Sequence, residues 1–393
     1  MIYRRFGRTN LQMPVFSCGG MRYQFKWQDV APEEIPQDNQ ENLEAVIHRA
    51  VELGINHIET ARFYGTSEMQ LGKVLPKFPR EKLIVQTKVP PVADAKEFRK
   101  TFEKSLTYLQ LDYVDLLGLH GINTAEALDY SINDGGCLEV AKELQAQGKV
   151  RFIGFSTHAP LEIILKAINT NQFDYVNLHW YYINQWNWSA IAAANQLDMG
   201  VFIISPANKG GLLYQPSEKL VNLCQPLSPM VFNDLFCLSH FQVNTLSIGA
   251  AKPTDFDEHL KTLELLDKAE EILPPIIERL ENAVRETLGK DWAKTWDLNL
   301  PNWEETPGQI NIKVILWLLN LALVYDMIEY GKMRYNLLGN GNDWFPGNRA
   351  DKLAELDLRE CLINSPHADK IPQMLAKAHE MLKGEEVKRL SQS

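Results

Sequence analysis

The chain has 393 residues, 45% of them hydrophobic and 23% charged, and carries a formal net charge of −10. These proportions are those of a folded globular protein, and the acidic balance excludes a surface built for nucleic acid or anionic membrane, which bind through excess Lys and Arg. The five cysteines have no C-x-x-C spacing, which leaves no zinc knuckle and no disulfide framework and fits a reducing, cytoplasmic setting.

The N-terminus, MIYRRFGRTN, lacks the apolar stretch of a secretory signal. Two short extended runs around GRTN read as a hairpin suited to plugging one end of a barrel. An alternation follows: helix 39–53, strand 55–59, helix 67–75, strand 82–89, helix 95–109, strand 113–119, helix 136–147 and strand 150–156. It continues through helix 160–170, strand 173–178, helix 187–197, strand 200–205, a long connection with room for a helix, strand 244–248 and helix 254–268. IVQT, YVDLLGL, VRFIGF and VFII are nearly continuous apolar runs, as expected of strands covered on both faces. About eight such units imply an α/β fold, a closed (β/α)8 barrel over residues 1–268.

From residue 269 to 393 helical patterns take over, predicting a second, all-helical domain. Its most apolar run, Val314 to Leu323, is broken by Asn320 and soon followed by Asp326, so it reads as a buried helix and no membrane span is expected.

In a parallel barrel the residues just past the strand ends converge on one mouth. Those positions hold Glu59 and Tyr64, then Lys88, then His120. A phenol beside an ammonium suits proton delivery to a carbonyl oxygen, because the ammonium stabilises the phenolate left behind. In this reading Glu59 holds Lys88 charged and His120 donates a hydrogen bond to the developing alkoxide. Any one of these residues alone is more often a packing residue, and their joint occurrence on consecutive strand ends carries the argument. A glycosidase pair built on Glu59 lacks a second acid at a strand end.

These residues, with the stretches ETARFYGTSEMQLGKVL, IVQTKV and GKVRFIGFSTH, resemble the aldo-keto reductases, whose TIM barrel carries an Asp-Tyr-Lys-His set. Glu59 stands in place of the Asp. The resemblance covers roughly the first 265 residues and implies reduction of an aldehyde or ketone, a small-molecule carbonyl substrate, with NADPH, or NADH as the alternative. It assigns the cofactor to Gly20, Met21, Ser156, Thr157 (where Asn is usual) and Asn177 (where Gln is usual). It adds Ser205, Pro206, Gly210 and Gly211 around the pyrophosphate, and Lys252, Glu258 and His259 near the adenosine end. Asp255 stands where a second basic residue is common, and Ile204 where a stacking tyrosine is often found. HWYYINQWNW places Trp180 and Tyr181 as a wall of the substrate pocket or as a packing surface for the helical domain.

The tail resembles the extension of a subgroup of these reductases in which C-x2-C-x2-C-x3-C-P holds an iron–sulfur cluster. Here those positions are Trp296, Asn299, Asn302 and Thr306, followed by Pro307, so no cluster held by four Cys and no metal are expected. The helices are expected to shape the substrate entrance or a dimer contact, and their partner is unknown. The departures at Glu59, Thr157, Ile204 and Asp255 also support an alternative, a cofactor-binding sensor or interaction module with weak catalysis or none.

Overall fold

Residues whose side chains are apolar on both faces of a strand have to be covered on both, and here eight of these short runs close on one another. In the structure, a computed structural model that describes residues 1–388, the hairpin strands are β1 (Tyr3–Arg5) and β2 (Gln12–Pro14). The barrel strands are β3 (Phe16–Gly19), β4 (His57–Glu59), β5 (Ile84–Val89), β6 (Val114–His120), β7 (Val150–Ser156), β8 (Tyr175–Leu178), β9 (Gly200–Ile203) and β10 (Thr245–Ile248). They pair in parallel in chain order, and β10 closes the barrel against β3.

The register fixes what faces inward. Lys88 pairs with Gly118, Gly118 with Gly154, and Gly154 with Tyr175. Two residues further on, His120, Ser156, Asn177 and Phe202 form the next row. Partnered residues share a face, and side chains alternate with period two, so both rows belong to the barrel interior. Below them, Phe6 reaches in from the hairpin and packs with Met13, Ile84, Leu116, Tyr175 and Phe202, closing the end of the barrel opposite the mouth. The hairpin plug expected from GRTN is therefore present.

The return strand of the hairpin is Gln12–Pro14, and Phe16–Gly19 is a separate strand, the first of the barrel, parallel to β4 and β10. One sequence expectation is corrected. Residues 254–268 are not one helix. Pro253–Phe256, Lys261–Glu264 and Leu266–Lys268 are 3-10 turns around a single α turn, Asp257–Leu260, with Leu265 and Lys268 bonding three residues back. The structure also adds helices at Ala125–Ile132, Glu218–Cys224 and Pro229–Ser239.

The chain divides into two compact units. The first holds Met1–Gly210 and Asn233–Ala269, and the second holds Gly211–Phe232 together with the chain from Glu270 onward. Within the second unit, helix Ile312–Tyr325 is buried around nearly its whole circumference, as its run of apolar residues requires. Its Asn320 accepts from Trp292 Nε1 at 3.0 Å, and Tyr325 O accepts from Ser217 Oγ at 2.5 Å. Among the described residues, no helix is long and apolar enough to cross a membrane.

Candidate active site

The loop after β4 is held before any ligand is considered. Thr60 N and Arg62 N continue the ladder to Gln86 O and Lys88 O, at 2.8 and 2.9 Å. The chain then turns through Gly65 at φ 54°, where a Cβ would lie 2.0 Å from Lys26 O. Thr66 Oγ1 accepts from the backbone N–H groups of Phe25 and Lys26, and a buried Arg62–Glu68 pair at 2.8 Å is joined by Thr87 Oγ1, which donates to Glu68 at 2.5 Å. These contacts fix the backbone that carries Tyr64.

At the strand ends, Lys88 Nζ donates to Glu59 Oε1 and, at 2.7 Å, to Thr60 O. Tyr64 OH lies 3.5 Å from the same Glu59 Oε1, and Lys88 Nζ is 4.8 Å from the Tyr64 ring centroid. The His120 ring stands edge-on to Tyr64 at 5.7 Å between centroids. All four side chains are at least nine-tenths buried. Glu59 thus reaches Lys88 despite its extra methylene, and the same length brings its carboxylate near the phenol.

Burial drives Lys88 well below the ordinary lysine range. Burial, with Tyr23 contributing next, raises Tyr64 above the ordinary tyrosine range. The phenol is therefore protonated at neutral pH, the form a proton donor needs, and losing that proton demands help from a charged neighbour.

Glycines make room for this arrangement. A Cβ on Gly118 would meet Lys88 Cγ at 3.0 Å, and one on Gly154 would lie 2.5 Å from the Tyr175 ring. A Cβ on Gly20 would lie 2.6 Å from Glu59 O, and Met21 beside it is half-buried.

The other sequence-selected residues are placed as follows. Ser156 Oγ accepts from Gly121 N at 3.1 Å. Thr157 Oγ1 is engaged by Ile122 O and Ala159 N. Asn177 is fully buried, and neither its amide nitrogen nor its amide oxygen has a hydrogen-bond partner. Ser205 adopts a left-handed φ of 54°, rare for a non-glycine residue. Pro206 O accepts from Asn233 Nδ2, a Cβ at Gly210 would lie 1.9 Å from Pro206 O, and Gly211 has φ 129°. Lys252 is exposed, and Asp255 accepts from Ala251 N at 2.8 Å. Glu258 pairs with Lys261. His259 is fully buried against Asp234, with Nδ1 and Oδ2 at 2.5 Å, so it faces the protein interior and not an adenine. Trp180 stacks on Phe236 at 5.0 Å and packs against Trp188 and His240, while Tyr181 donates to Ile204 O. Both are 1% exposed, so these two rings are packed within the first unit, while Tyr182, Trp186 and Trp188 are partly exposed.

A buried amide with unsatisfied donor and acceptor is what a ligand carboxamide would complete. The side-chain-free backbone at Gly210 and Gly211 suits close approach by phosphate. The nicotinamide and pyrophosphate ends of a dinucleotide therefore fit the residues present. At the adenosine end, Lys252 is exposed and Glu258 is engaged by Lys261.

Sequence reasoning missed Trp27, whose ring stands edge-on to Tyr64 at 6.1 Å. Its signal is position alone: it follows a barrel strand, β3, on the side of the mouth. At the cluster positions of the tail, Asn302 N donates to Glu305 Oε2, Asn299 Nδ2 donates to Asn364 O, and Thr306 Oγ1 donates to Trp303 O. The side chains of Asn299 and Thr306 thus bond to backbone carbonyls.

The model of the Aldo/keto reductase family matches residues 17–219, just over half of the chain. L-galactose dehydrogenase of Arabidopsis thaliana is 37% identical over 134 residues, 32% of this chain and 41% of that one. A probable aldo-keto reductase of Glycine max is 26% identical over 179 residues, 42% of this chain and 50% of that one. D-arabinose 1-dehydrogenase of Saccharomyces cerevisiae is 32% identical over 147 residues, 34% and 39% of the two chains. The chain thus spans half or less of the length of these relatives. Among solved structures, an aldo-keto reductase from Bacillus halodurans superposes with a TM-score of 0.60 at 20% identity, covering 71% of this chain and 96% of that one. A thermostable aldo-keto reductase bound to the inhibitor epalrestat gives 0.58 at 22% identity, covering 70% and 100%. At that identity the likeness concerns the fold.

Proposed function

Because this chain belongs to the Aldo/keto reductase family, we propose that it reduces an aldehyde or ketone to an alcohol, with NADPH as reductant and Tyr64 as the proton donor. The observation that carries the reading is the shared Glu59 Oε1, in contact with Lys88 Nζ and 3.5 Å from Tyr64 OH, on strand ends adjacent to His120.

Ser156 and Asn177 would hold the nicotinamide carboxamide, and Ser205 to Gly211 the pyrophosphate. When bound, the reduced nicotinamide supplies a hydride to the carbonyl carbon. The residues of the chain do the rest. His120 orients the carbonyl oxygen by a hydrogen bond, and Tyr64 OH transfers its proton to that oxygen as charge develops there. The phenolate that remains is stabilised by the Lys88 ammonium, whose charged form the Glu59 carboxylate and Thr60 O favour against the opposing effect of burial. Solvent is kept from the pair by the burial of all four groups, which strengthens each electrostatic contact.

The test is Tyr64→Phe, measured on a panel of aromatic aldehydes, dicarbonyls and aldoses; the aldoses enter because two relatives are named for sugars. Turnover is expected to fall by at least about a thousandfold, of the order lost when a general acid and its positioning act together, while NADPH binding measured by fluorescence stays. Unchanged turnover would remove Tyr64 from the mechanism.

For the cofactor, Lys252 is the exposed cation that would meet the extra phosphate of NADPH. Lys252→Met is expected to raise KM for NADPH several-fold more than for NADH, by loss of one charge-assisted contact. Equal effects on both would leave cofactor choice to another residue.

A second reading, a cofactor-binding sensor, is favoured by one feature: Glu59 sits close enough to the phenol to oppose its ionisation. Binding of NADPH by the native chain without its oxidation across the whole panel would support it.

A further inference from the structure

Residues 20–36 join strand β3 to the helix Gln37–Glu52. A connection from a barrel strand to its helix usually needs about six residues at most, and much longer ones tend to carry function. This one leaves β3 on the side of the mouth, and it is held there at two places.

At the first, Phe25 N and Lys26 N both donate to Thr66 Oγ1, Phe25 N also donates to Gln70 Oε1 at 2.9 Å, and Thr66 N donates to Lys26 O at 3.0 Å. At the second, both oxygens of one carboxylate are engaged. Asp29 Oδ1 accepts from Arg62 Nη2, and Asp29 Oδ2 accepts from Lys104 Nζ at 2.8 Å and from Tyr108 OH at 3.2 Å. Trp27 lies between the two anchors, half-buried, with its ring edge-on to Tyr64 at 6.1 Å between centroids. A Cβ at Gly65 would lie 2.5 Å from Trp27 Cα, so the backbone of this strap rests directly on the turn beside Tyr64.

The second anchor reaches into the site. Arg62 Nη1 donates to Glu68 at 2.8 Å, and Glu68, fully buried, also accepts from Thr87 Oγ1, next to Lys88 on β5. The Arg62 guanidinium lies over the Tyr108 ring at 4.8 Å. One arginine therefore ties the loop of Tyr64 inward through Glu68 and outward to the strap through Asp29, which is what a planar fork of donors allows. An ion pair in open solvent would hold little. Here the Arg62 side chain is 8% exposed and that of Asp29 32%, so the contact is partly desolvated and its hydrogen bonds are charge-assisted.

We infer that Asp29 is a positioning residue: joined to Arg62 and Lys104, it latches the strap over the turn at Gly65, keeps Trp27 beside Tyr64, and so sets how firmly a carbonyl substrate is held at the mouth. The effect on substrate rests on the reductase reading above; the latch itself does not.

Asp29→Asn is the variant of choice, because Arg62 keeps Glu68 in it, whereas Arg62→Met would leave the buried Glu68 without this cation. With 4-nitrobenzaldehyde, Asp29→Asn is expected to raise KM by about tenfold, the worth of one charge-assisted hydrogen bond, while kcat and the Kd of NADPH stay within about twofold of native. Asp29→Glu, which keeps the carboxylate, should bring KM back to within about threefold of native. In a Trp27→Ala background, Asp29→Asn should change KM by less than about twofold, since a residue that acts through Trp27 has nothing left to act on. An unchanged KM in Asp29→Asn, or a tenfold effect that persists without Trp27, overturns the inference.

Limited digestion with trypsin tests the latch without turnover. Lys26 is exposed, but its backbone is bonded to Thr66 on both sides, so cleavage after it follows the population of the opened strap. Asp29→Asn should be cut there about tenfold faster than the native chain, with cleavage outside residues 20–36 at its native rate. Equal rates after Lys26, or a uniform rise at every site, overturn the latch. If the aldehyde is not reduced by the native chain, faster cutting after Lys26 upholds the latch while the reductase reading fails.

Discussion

One carboxylate oxygen, Glu59 Oε1, serves both the ammonium of Lys88 and the phenol of Tyr64. In the proposed mechanism, the group at this position sets the net charge that stands beside Tyr64 as its proton is lost. Glu59→Asp withdraws the carboxylate by one methylene and leaves the buried Lys88 with a longer contact, so kcat is expected to fall by about tenfold or more, since an unpaired buried charge loses more than a kcal/mol. A rise in kcat instead would mean that the native glutamate holds the site back. A second residue in the barrel interior contributes to the acid sensitivity expected of the fold. His57 is fully buried, bonded through Nδ1 to Ser17 Oγ at 2.6 Å, and burial first, then the charge of Lys88, lowers it to about 3. An unfolded histidine takes up its proton near pH 6.5. Between that pH and about 3 the unfolded chain binds a proton that the folded chain refuses, so stability is lost as pH falls through this window, by up to about 1.4 kcal/mol per unit. His57→Gln removes that contribution. Urea unfolding at pH 7 and pH 5 should show a smaller loss for the variant than for the native chain, and an equal loss would place the acid sensitivity in other groups.

At the scale of the element, the two inward rows of the barrel depend on small residues opposite large ones. Gly154 lies against the Tyr175 ring, which in turn packs on Phe6 of the plug at 5.7 Å between centroids. Gly154→Ala forces a Cβ to within 2.5 Å of that ring, and overpacking of this kind destabilises by about 1–3 kcal/mol. A Tm drop of several degrees is expected; an unchanged Tm would mean the ring has room to move. The strands themselves were legible in the sequence because both-face burial writes a continuous apolar run, as in YVDLLGL. The plug was legible from the turn residues of GRTN. β3 was not separated from the hairpin, because a four-residue strand next to Pro14 leaves too little pattern to show its partner. Residues 254–268 read as a helix because their apolar spacing satisfies one, while the 3-10 turns that form depend on packing around buried Phe256 and Thr262. The same distinction holds in the site. Tyr64, Lys88 and His120 announced themselves by lying at strand ends, whereas the burial of His259 against Asp234 and the meeting of Asp29 with Arg62 and Lys104 are long-range events that no local pattern records.

For the whole molecule, the long-range event that matters most is the division of the chain. A boundary near residue 268 is expected where the βα alternation stops, and one of the breaks between the two compact units lies after Ala269. The segment Gly211–Phe232 lies before that boundary, yet it groups with the helices after it. Its Leu213, Leu220, Cys224 and Val231 are buried. Arg279 donates to Leu223 O at 3.2 Å, and Ser217 Oγ donates to Tyr325 O, so its fixed partners come from helices Ala269–Leu288 and Ile312–Tyr325. A chain stopped at residue 269 would keep this segment and lose those helices. Each large apolar side chain so uncovered forfeits about 1.5–3 kcal/mol of burial, and a contiguous exposed patch promotes association. The truncated chain is therefore expected to bind a hydrophobic dye strongly, to melt well below the native chain and to aggregate on heating, although every barrel strand and all of Glu59, Tyr64, Lys88 and His120 are still encoded. A truncated chain that stays monomeric and melts with the native Tm would show instead that Gly211–Phe232 finds cover within the barrel unit, and that the helical tail can be removed without exposing anything.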